Sequence, residues 1–430
     1  MASMRDPLRA YVRRVVDDDL DELMLGLPAI SLEGPKGVGK TATAEQRATT
    51  VYRLDDPGTL EIVRADGDRL ATGTPPILVD EWQRHPASWD VVRRAVDRGV
   101  GPGHFLLTGS ATPSVHPTHS GAGRIVRLRV RPMTLPERGV ATPSVSLRAL
   151  LAGTSPPLDG TTDVRLDGYV TEILAGGFPG MRARTGRARR AALDSYIDRI
   201  LDTDLPELEV KIRHPATLRR WLAAYAAATA TSTSYEKIRD AATSGEAQKP
   251  AKTTTIPYRE ALERLWVLEP LEAWSPTHNH LSRLVHAPRH HLADPALAGR
   301  LVGTGRQALL AGQGPAGVPR DGTYLGSLFE SLTTLAVRVF AQAADARVFH
   351  FRTKGGEREV DLIIERDDHH VVAIEVKLAA TVEDADVRHL TWLQQRLGDE
   401  LLDAIVVTTG QHAYRRPDGI GVVPLALLGP

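Results

Sequence analysis

The sequence predicts an α/β protein built from more than one unit. A parallel sheet around a phosphate-binding loop comes first, a helical region follows, and a second α/β unit closes the chain. Three observations predict this. Short apolar runs at Ala29–Leu32, Ile77–Val79 and Phe105–Leu107 alternate with segments of helical spacing, the pattern of a parallel sheet covered on both faces. A glycine-rich loop directly follows the first run. From about Thr323, one helical stretch is followed by the strand-like segments Arg347–Arg352, Glu359–Ile364, Val371–Val376 and Ala404–Thr408.

A chain of 430 residues is long for one hydrophobic core, so two or three domains are expected. We place them at 1–145, 146–320 and 321–430. The first boundary falls in the Thr-, Ser-, Pro- and Gly-rich stretch Val140–Gly168, and the second near LLAGQGPAGVP. The composition is 42% hydrophobic and 25% charged, with a formal net charge of zero. The whole chain is therefore not an electrostatic nucleic-acid binder, although a local basic face is compatible with that balance. There are no cysteines, which excludes disulfides, thiolate zinc sites, iron–sulfur clusters and a cysteine nucleophile. No apolar run reaches the ~18 residues that span a bilayer, and the N-terminus lacks a secretory pattern. A cytoplasmic protein without a membrane partner is the expectation.

The phosphate-binding loop is Gly34-Pro35-Lys36-Gly37-Val38-Gly39-Lys40-Thr41, which fits G-x-x-x-x-G-K-[ST]. Glycines let backbone N–H groups turn inward around phosphates. From Thr41 and Ala42 onward, TATAEQRATT reads as a helix whose positive N-terminus faces the same anion. Lys40 reaches the β- and γ-phosphates, and the Thr41 hydroxyl ligates Mg²⁺. ATP and Mg²⁺ are thus the expected cofactors.

Ile77-Leu78-Val79 runs into Asp80-Glu81, 39 residues after Thr41. Asp80 would hold Mg²⁺ through water, and Glu81 would orient or deprotonate the attacking water. The third apolar run ends in Thr108-Gly109-Ser110, which reads either as a polar sensor near the γ-phosphate or as ordinary turn chemistry. Arg124 reads either as a stabiliser of transition-state charge, in cis or in trans, or as a solvated surface arginine.

LEGPKGVGKT, ILVDEWQ, FLLTGSA, GAGRIVRL and RPMTLPE occur in this order with short spacings. The run resembles a group of bacterial and archaeal AAA-family ATPases in which a P-loop domain is joined to a C-terminal domain of unknown function. The resemblance continues at GGFPG, ALDSYIDRILDTDL and RHHLADPALAGRL, and so covers nearly the whole chain. It implies an AAA-type P-loop fold and ATP hydrolysis. The oligomeric state stays open: a homo-oligomer in which Arg124 is the arginine given to a neighbour is one reading, since no sensor-2 arginine stands out to mark a hexameric ring.

In the middle region, YEKIRDAA (235–242) and PYREALERLWVL (257–268) are helix candidates, and Leu271–Trp274 can begin a hairpin. That order is winged-helix-like. It would expose Arg259 and Thr254 or Thr255 to DNA, with Lys249 and Lys252 near phosphates; a protein-contact module is the other reading. Arg182, Arg184, Arg187, Arg189 and Arg190 form the densest basic cluster. It either tracks a phosphate backbone or forms a solvated helix face.

Near the C-terminus, Glu359-Val360-Asp361 opens one strand and Glu375-Val376-Lys377 ends the next. Residues two apart on a strand share a face, so Glu375 and Lys377 point together. Asp361 and Glu375 can then share a divalent ion, with Glu330 as a third carboxylate and Lys377 beside the metal-bound water. Oxygen ligands suit Mg²⁺ or Mn²⁺. The pattern resembles the PD-(D/E)xK nuclease superfamily, although Val360 stands where the naming proline would. The resemblance implies a restriction-endonuclease-like fold and a DNA-directed phosphodiesterase site at Glu330, Asp361, Glu375 and Lys377. The alternative is a nucleotide-dependent switch or scaffold whose C-terminal unit only binds DNA or a protein. The run His278-Asn279-His280 is a decoy, because HNH nucleases do not use three contiguous residues. No zinc site is expected.

Overall fold

The computed structural model describes residues 11–109, 121–208, 215–243, 252–275, 287–311, 322–353 and 355–430. Helix α1 (Val15–Met24) precedes a unit of alternating strands and helices: β1 (Ala29–Glu33), α2 (Lys40–Glu45), β2 (Thr50–Arg53), α3 (Pro57–Ala65), β3 (Ile77–Asp80), α4 (Ala87–Asp97), β4 (Phe105–Gly109) and β5 (Val126–Arg129). The five strands form one parallel sheet in the order β2-β3-β4-β1-β5. Asp80 aligns with Thr108, and Leu32 also aligns with Thr108. The C-terminal ends of β1, β3 and β4 therefore meet at one edge, where the glycine-rich loop begins.

Burial on both sides explains the unbroken apolar runs. Ala29, Ile77, Val79, Phe105 and Leu107 pack with Val63, Trp89 and Val92 from the helices on one face. Ile30, Leu32, Leu78 and Leu106 face the other way. They join a core that continues through Tyr169, Leu222 and Phe329 to Leu362, Ile374 and Ile405.

The middle region is helical. After the short strand β6 (Val145–Ser146) come α5 (Leu147–Leu151), α6 (Leu166–Ala175), α7 (Pro179–Arg182), α8 (Gly186–Arg199), a π-helical turn at Ile200–Asp204, α9 (Leu205–Glu207), α10 (Pro215–Ala227), α11 (Tyr235–Ala242), α12 (Lys252–Arg264), α13 (Pro295–Val302) and α14 (Arg306–Ala311). Leu268 and Leu271 bridge antiparallel to Leu292 and Arg289, so a two-stranded wing follows α12. Residues 276–286, with His278-Asn279-His280, lie outside the described residues.

The last unit opens with α15 (Gly322–Ala343), whose 22 residues bury Leu325, Leu328, Phe329, Leu332, Leu335, Ala336, Val339 and Phe340 at helical spacing. A six-stranded mixed sheet follows, in the order β11-β12-β10-β9-β8-β7. Its strands are β7 (Arg347–Arg352), β8 (Glu359–Glu365), β9 (Val371–Val376), β10 (Leu401–Thr408), β11 (Tyr414–Arg415) and β12 (Gly421–Pro424), with α16 (Asp384–Leu397) between β9 and β10. Val387, Leu390 and Leu393 of α16 cover Ile363, Val371, Ala373 and Val406 on one face. The final strand β13 (Leu428–Gly429) runs parallel to β6. Among the described residues, no helix is long and apolar enough to cross a membrane.

Candidate functional site

The loop after β1 needs its glycines. A Cβ on Gly34 would collide with the carbonyl of Val130, the residue after β5. Gly39 caps α2 at φ 105°, in the left-handed region that favours glycine. Pro35 and Gly37 complete the turn. The Val38 carbonyl accepts from Nη1 of buried Arg14 at 3.1 Å. Arg14 is itself fixed by Glu137, 2.8 Å from Nε. Lys40 folds back so that Nζ donates to the Gly34 and Pro35 carbonyls at 2.8 and 2.9 Å. Burial, with the nearby positive charge of Arg129, lowers Lys40 to about 8, against the pull of Glu81 and Asp80.

Thr41 Oγ1 donates to Asp80 Oδ1 at 2.8 Å, and the Thr108 hydroxyl donates to the same oxygen. Strand register sets Asp80 beside Thr108, and the first turn of α2 brings Thr41 to them. The expected sensor position therefore touches Asp80, while Ser110 lies outside the described residues. A hydroxyl and a carboxylate oxygen this close fit the donor set of a hydrated Mg²⁺. Glu81 follows at φ 54°, ψ 43°, and its carboxylate accepts from Gln83. Burial first, then the Asp80 charge, raises its pKa. Lys36 does not point into an open loop: its Nζ is 2.5 Å from Asp204, in the π-helical turn of the middle region.

Arg124 does not join these residues. Val126 aligns with Ile30 and Arg129 with Glu33. Arg124 thus lies in the turn before β5, at the sheet edge opposite the loop that follows Glu33. Its Nε pairs with Asp97 at 2.6 Å, at the end of α4.

In the C-terminal unit, Glu375 Oε1 accepts from Lys377 Nζ at 2.8 Å, and Asp361 Oδ2 accepts from the Val376 N–H at 2.8 Å. The expected residues do converge. The cation among them is a side chain: buried Arg289, from the wing of the middle region, contacts Glu330, Glu359 and, at 2.9 Å, Asp361 Oδ1. Two cations, Arg289 and Lys377, face four carboxylates. Burial and this crowding push Glu330 and Glu375 up to about 8. Burial works against the Arg289 charge, but Glu330, Asp361 and Glu359 hold its pKa above the usual arginine value. With Arg289 seated, Glu330 and Asp361 do not fit a shared divalent ion. Among the described residues no group of three or more His, Asp or Glu side chains is placed to hold a metal. In this arrangement Arg289 occupies the position among Glu330 and Asp361 expected for an Mg²⁺ or Mn²⁺ ion shared with Glu375.

The DNA-facing candidates are partly spoken for. Arg259 stacks over Tyr235 at 4.6 Å and lies 3.6 Å from Glu263. Lys249 and the side chains of Lys252 and Thr254 lie outside the described residues. In the basic cluster, Arg182 pairs with Glu172 at 2.7 Å and Arg189 donates to the Arg184 carbonyl at 2.7 Å. Sequence reasoning missed Arg14, Arg129, Asp204, Glu269 and Arg289. Only the alternating arginines of VRLRVRP hinted at any of them.

Residues 27–138 match the AAA domain family. Residues 166–308 and 325–428 match two domains of unknown function (DUF8612 and DUF4143). Uncharacterized proteins of Mycobacterium tuberculosis and Mycobacterium bovis are each 26% identical over 404 residues, covering 92% of this chain and 80% of the relative. A solved Walker-type ATPase of Pyrococcus abyssi aligns over 70% of this chain and 99% of its own, with 16% identity and a TM-score of 0.39. The phosphate-loop motif, the parallel sheet and the family match agree: residues 27–138 of this chain are similar to an AAA-type P-loop ATPase domain.

Proposed function

We propose that the protein is a Mg²⁺-dependent ATP hydrolase whose nucleotide state is passed to its middle and C-terminal units. The observation that carries this is the convergence of Thr41 and Thr108 on one Asp80 oxygen beside Lys40. Lys40 holds the β- and γ-phosphates, while Thr41 and Asp80 hold Mg²⁺, which neutralises phosphate charge when bound. Glu81 positions the attacking water. A cytoplasmic setting and a homo-oligomer, in which Arg124 serves a neighbouring subunit, belong to the same reading. The test is phosphate release and nucleotide binding by the wild type and Lys40→Ala. Wild-type turnover that Lys40→Ala abolishes supports the proposal. Turnover that persists in Lys40→Ala removes it.

For the C-terminal unit, Arg289 favours the switch or scaffold reading over a nuclease-like phosphodiesterase. A buried guanidinium supplies the positive charge that metal-dependent cleavage would require of an ion. The partner is then DNA or a protein, held without cleavage. Incubation with linear and nicked DNA and Mg²⁺ or Mn²⁺ separates the readings. Salt-sensitive binding without cleavage supports a DNA scaffold. Cleavage that Asp361→Ala abolishes restores the nuclease.

A further inference from the structure

Arg129 ends β5 and aligns with Glu33, the residue before Gly34. Its side chain is only 11% exposed. The guanidinium lies 3.7 Å from the Trp266 ring centre, and its nearest carboxylate contact is 3.8 Å, to Glu269 Oε2. That is beyond hydrogen-bond reach. Among the described residues, Nε, Nη1 and Nη2 are all buried and none has a hydrogen-bond partner.

A dry cation with every donor unused is costly. Glu269 faces it across 3.8 Å as a charge but gives it no hydrogen bond, because Arg131 Nε holds Glu269 at 2.8 Å and Arg338 lies 3.7 Å away. Burial lowers Arg129 to about 9, far for a group that is ordinarily always charged. Its charge also bears on Lys40 more strongly than that of Asp80 does. Two cations thus act on one another beside a loop whose motif binds phosphate, with Glu33 and Glu81 near them but no hydrogen-bond acceptor on the Arg129 guanidinium among the described residues. Stacking on Trp266 uses the flat face of the guanidinium and leaves its edge N–H groups unpaired.

We propose that Arg129 is a second, cis-acting phosphate ligand of the nucleotide site, donating its guanidinium edge to the phosphate chain held by Lys40. This rests on the nucleotide reading of Gly34–Thr41. A planar fork suits two phosphate oxygens, which a single ammonium does not. The proposal also gives the middle region a direct hold on the nucleotide, because Trp266 and Glu269 are the groups that position Arg129.

The test uses the full chain with Mg²⁺ and fluorescent ATP and ADP analogues. Wild type, Arg129→Gln, Arg129→Lys and Lys40→Ala are titrated, and urea midpoints are recorded alongside. Arg129→Gln is expected to bind at least one of the two analogues about 10- to 100-fold more weakly, the loss of charge-assisted hydrogen bonds. Arg129→Lys should fall between Gln and wild type, since it restores charge without the fork. A shifted urea midpoint with unchanged affinities would mean a packing role only and would overturn the proposal. Should Arg129→Gln not fold, Arg129→Lys decides: wild-type affinity for both analogues overturns it. A wild type that binds neither analogue sinks the ATP reading itself. Binding lost in Lys40→Ala but intact in Arg129→Gln sinks only the role of Arg129.

Discussion

Glu81 holds a left-handed backbone at φ 54° without being glycine or asparagine. Such a conformation costs on the order of 1–3 kcal/mol and persists where the surroundings enforce it. Here it turns the chain sharply after Asp80, so that two consecutive acids take different directions. Asp80 meets Thr41 and Thr108, while Glu81 reaches Gln83. Glu81→Gln should therefore keep nucleotide binding and lose turnover by about 10²- to 10⁴-fold, the range for a positioned general base; phosphate release against analogue binding separates the two. Gly39→Ala should weaken nucleotide binding through backbone strain at φ 105°, visible as a raised KM for ATP. At this scale the motif residues were legible, because the chemistry of a phosphate loop is local in sequence. Arg129 and Arg289 were not. Each is one arginine among many until the fold shows which are buried and what surrounds them.

At the scale of elements, α15 and the wing around Arg289 are stitched by charge. Arg289 joins Glu330 of α15 to Glu359 and Asp361 of β8. Removing one partner of a buried ion cluster typically costs about 3–5 kcal/mol. Arg289→Met should lower the urea midpoint accordingly. Adding Glu330→Gln to that variant should recover part of the loss, since one uncompensated carboxylate is gone. A double variant no more stable than Arg289→Met would show that Glu330 does not feel the arginine. The β8–β9 hairpin was legible from two apolar runs around an Asp-Asp-His-His turn. The two-residue spacing of Glu375 and Lys377 correctly paired them, now at 2.8 Å. The identity of the cation was not legible, because Arg289 precedes Asp361 by 72 residues and belongs to a different region.

Across the whole molecule, Glu269 is the shared point. Burial alone would raise its pKa, but Arg131, Arg338 and Arg129 hold it well below the usual carboxylate range. It touches the end of the ATPase sheet through Arg129 and Arg131, and α15 through Arg338. A carboxylate with a lowered folded pKa contributes fully above the unfolded value of ~4.3. The contribution then fades as pH falls toward the folded value. Glu269→Gln should therefore cost about 3–5 kcal/mol at neutral pH. The gap from wild type should narrow steadily below about pH 4, measured as urea midpoints across pH. A constant gap would mean that Glu269 acts by packing alone. Alternating apolar runs showed that sheets and helices exist, but not that Ile30 and Ile374 would share one continuous core. Such joining depends on shape complementarity between distant surfaces, which periodicity does not encode.

Strand β6 pairs with β13, and Leu428 sits beside Val145. During synthesis the partner of Val145 is therefore made 283 residues later (428 minus 145). Until then, a segment just beyond the ATPase sheet lacks its ladder, while the sheet itself needs nothing past Arg129 for its own strand order. Closing so long a loop is slow. The order of events on the ribosome follows: the nucleotide-binding sheet can assemble early, and the clasp at Val145 locks last.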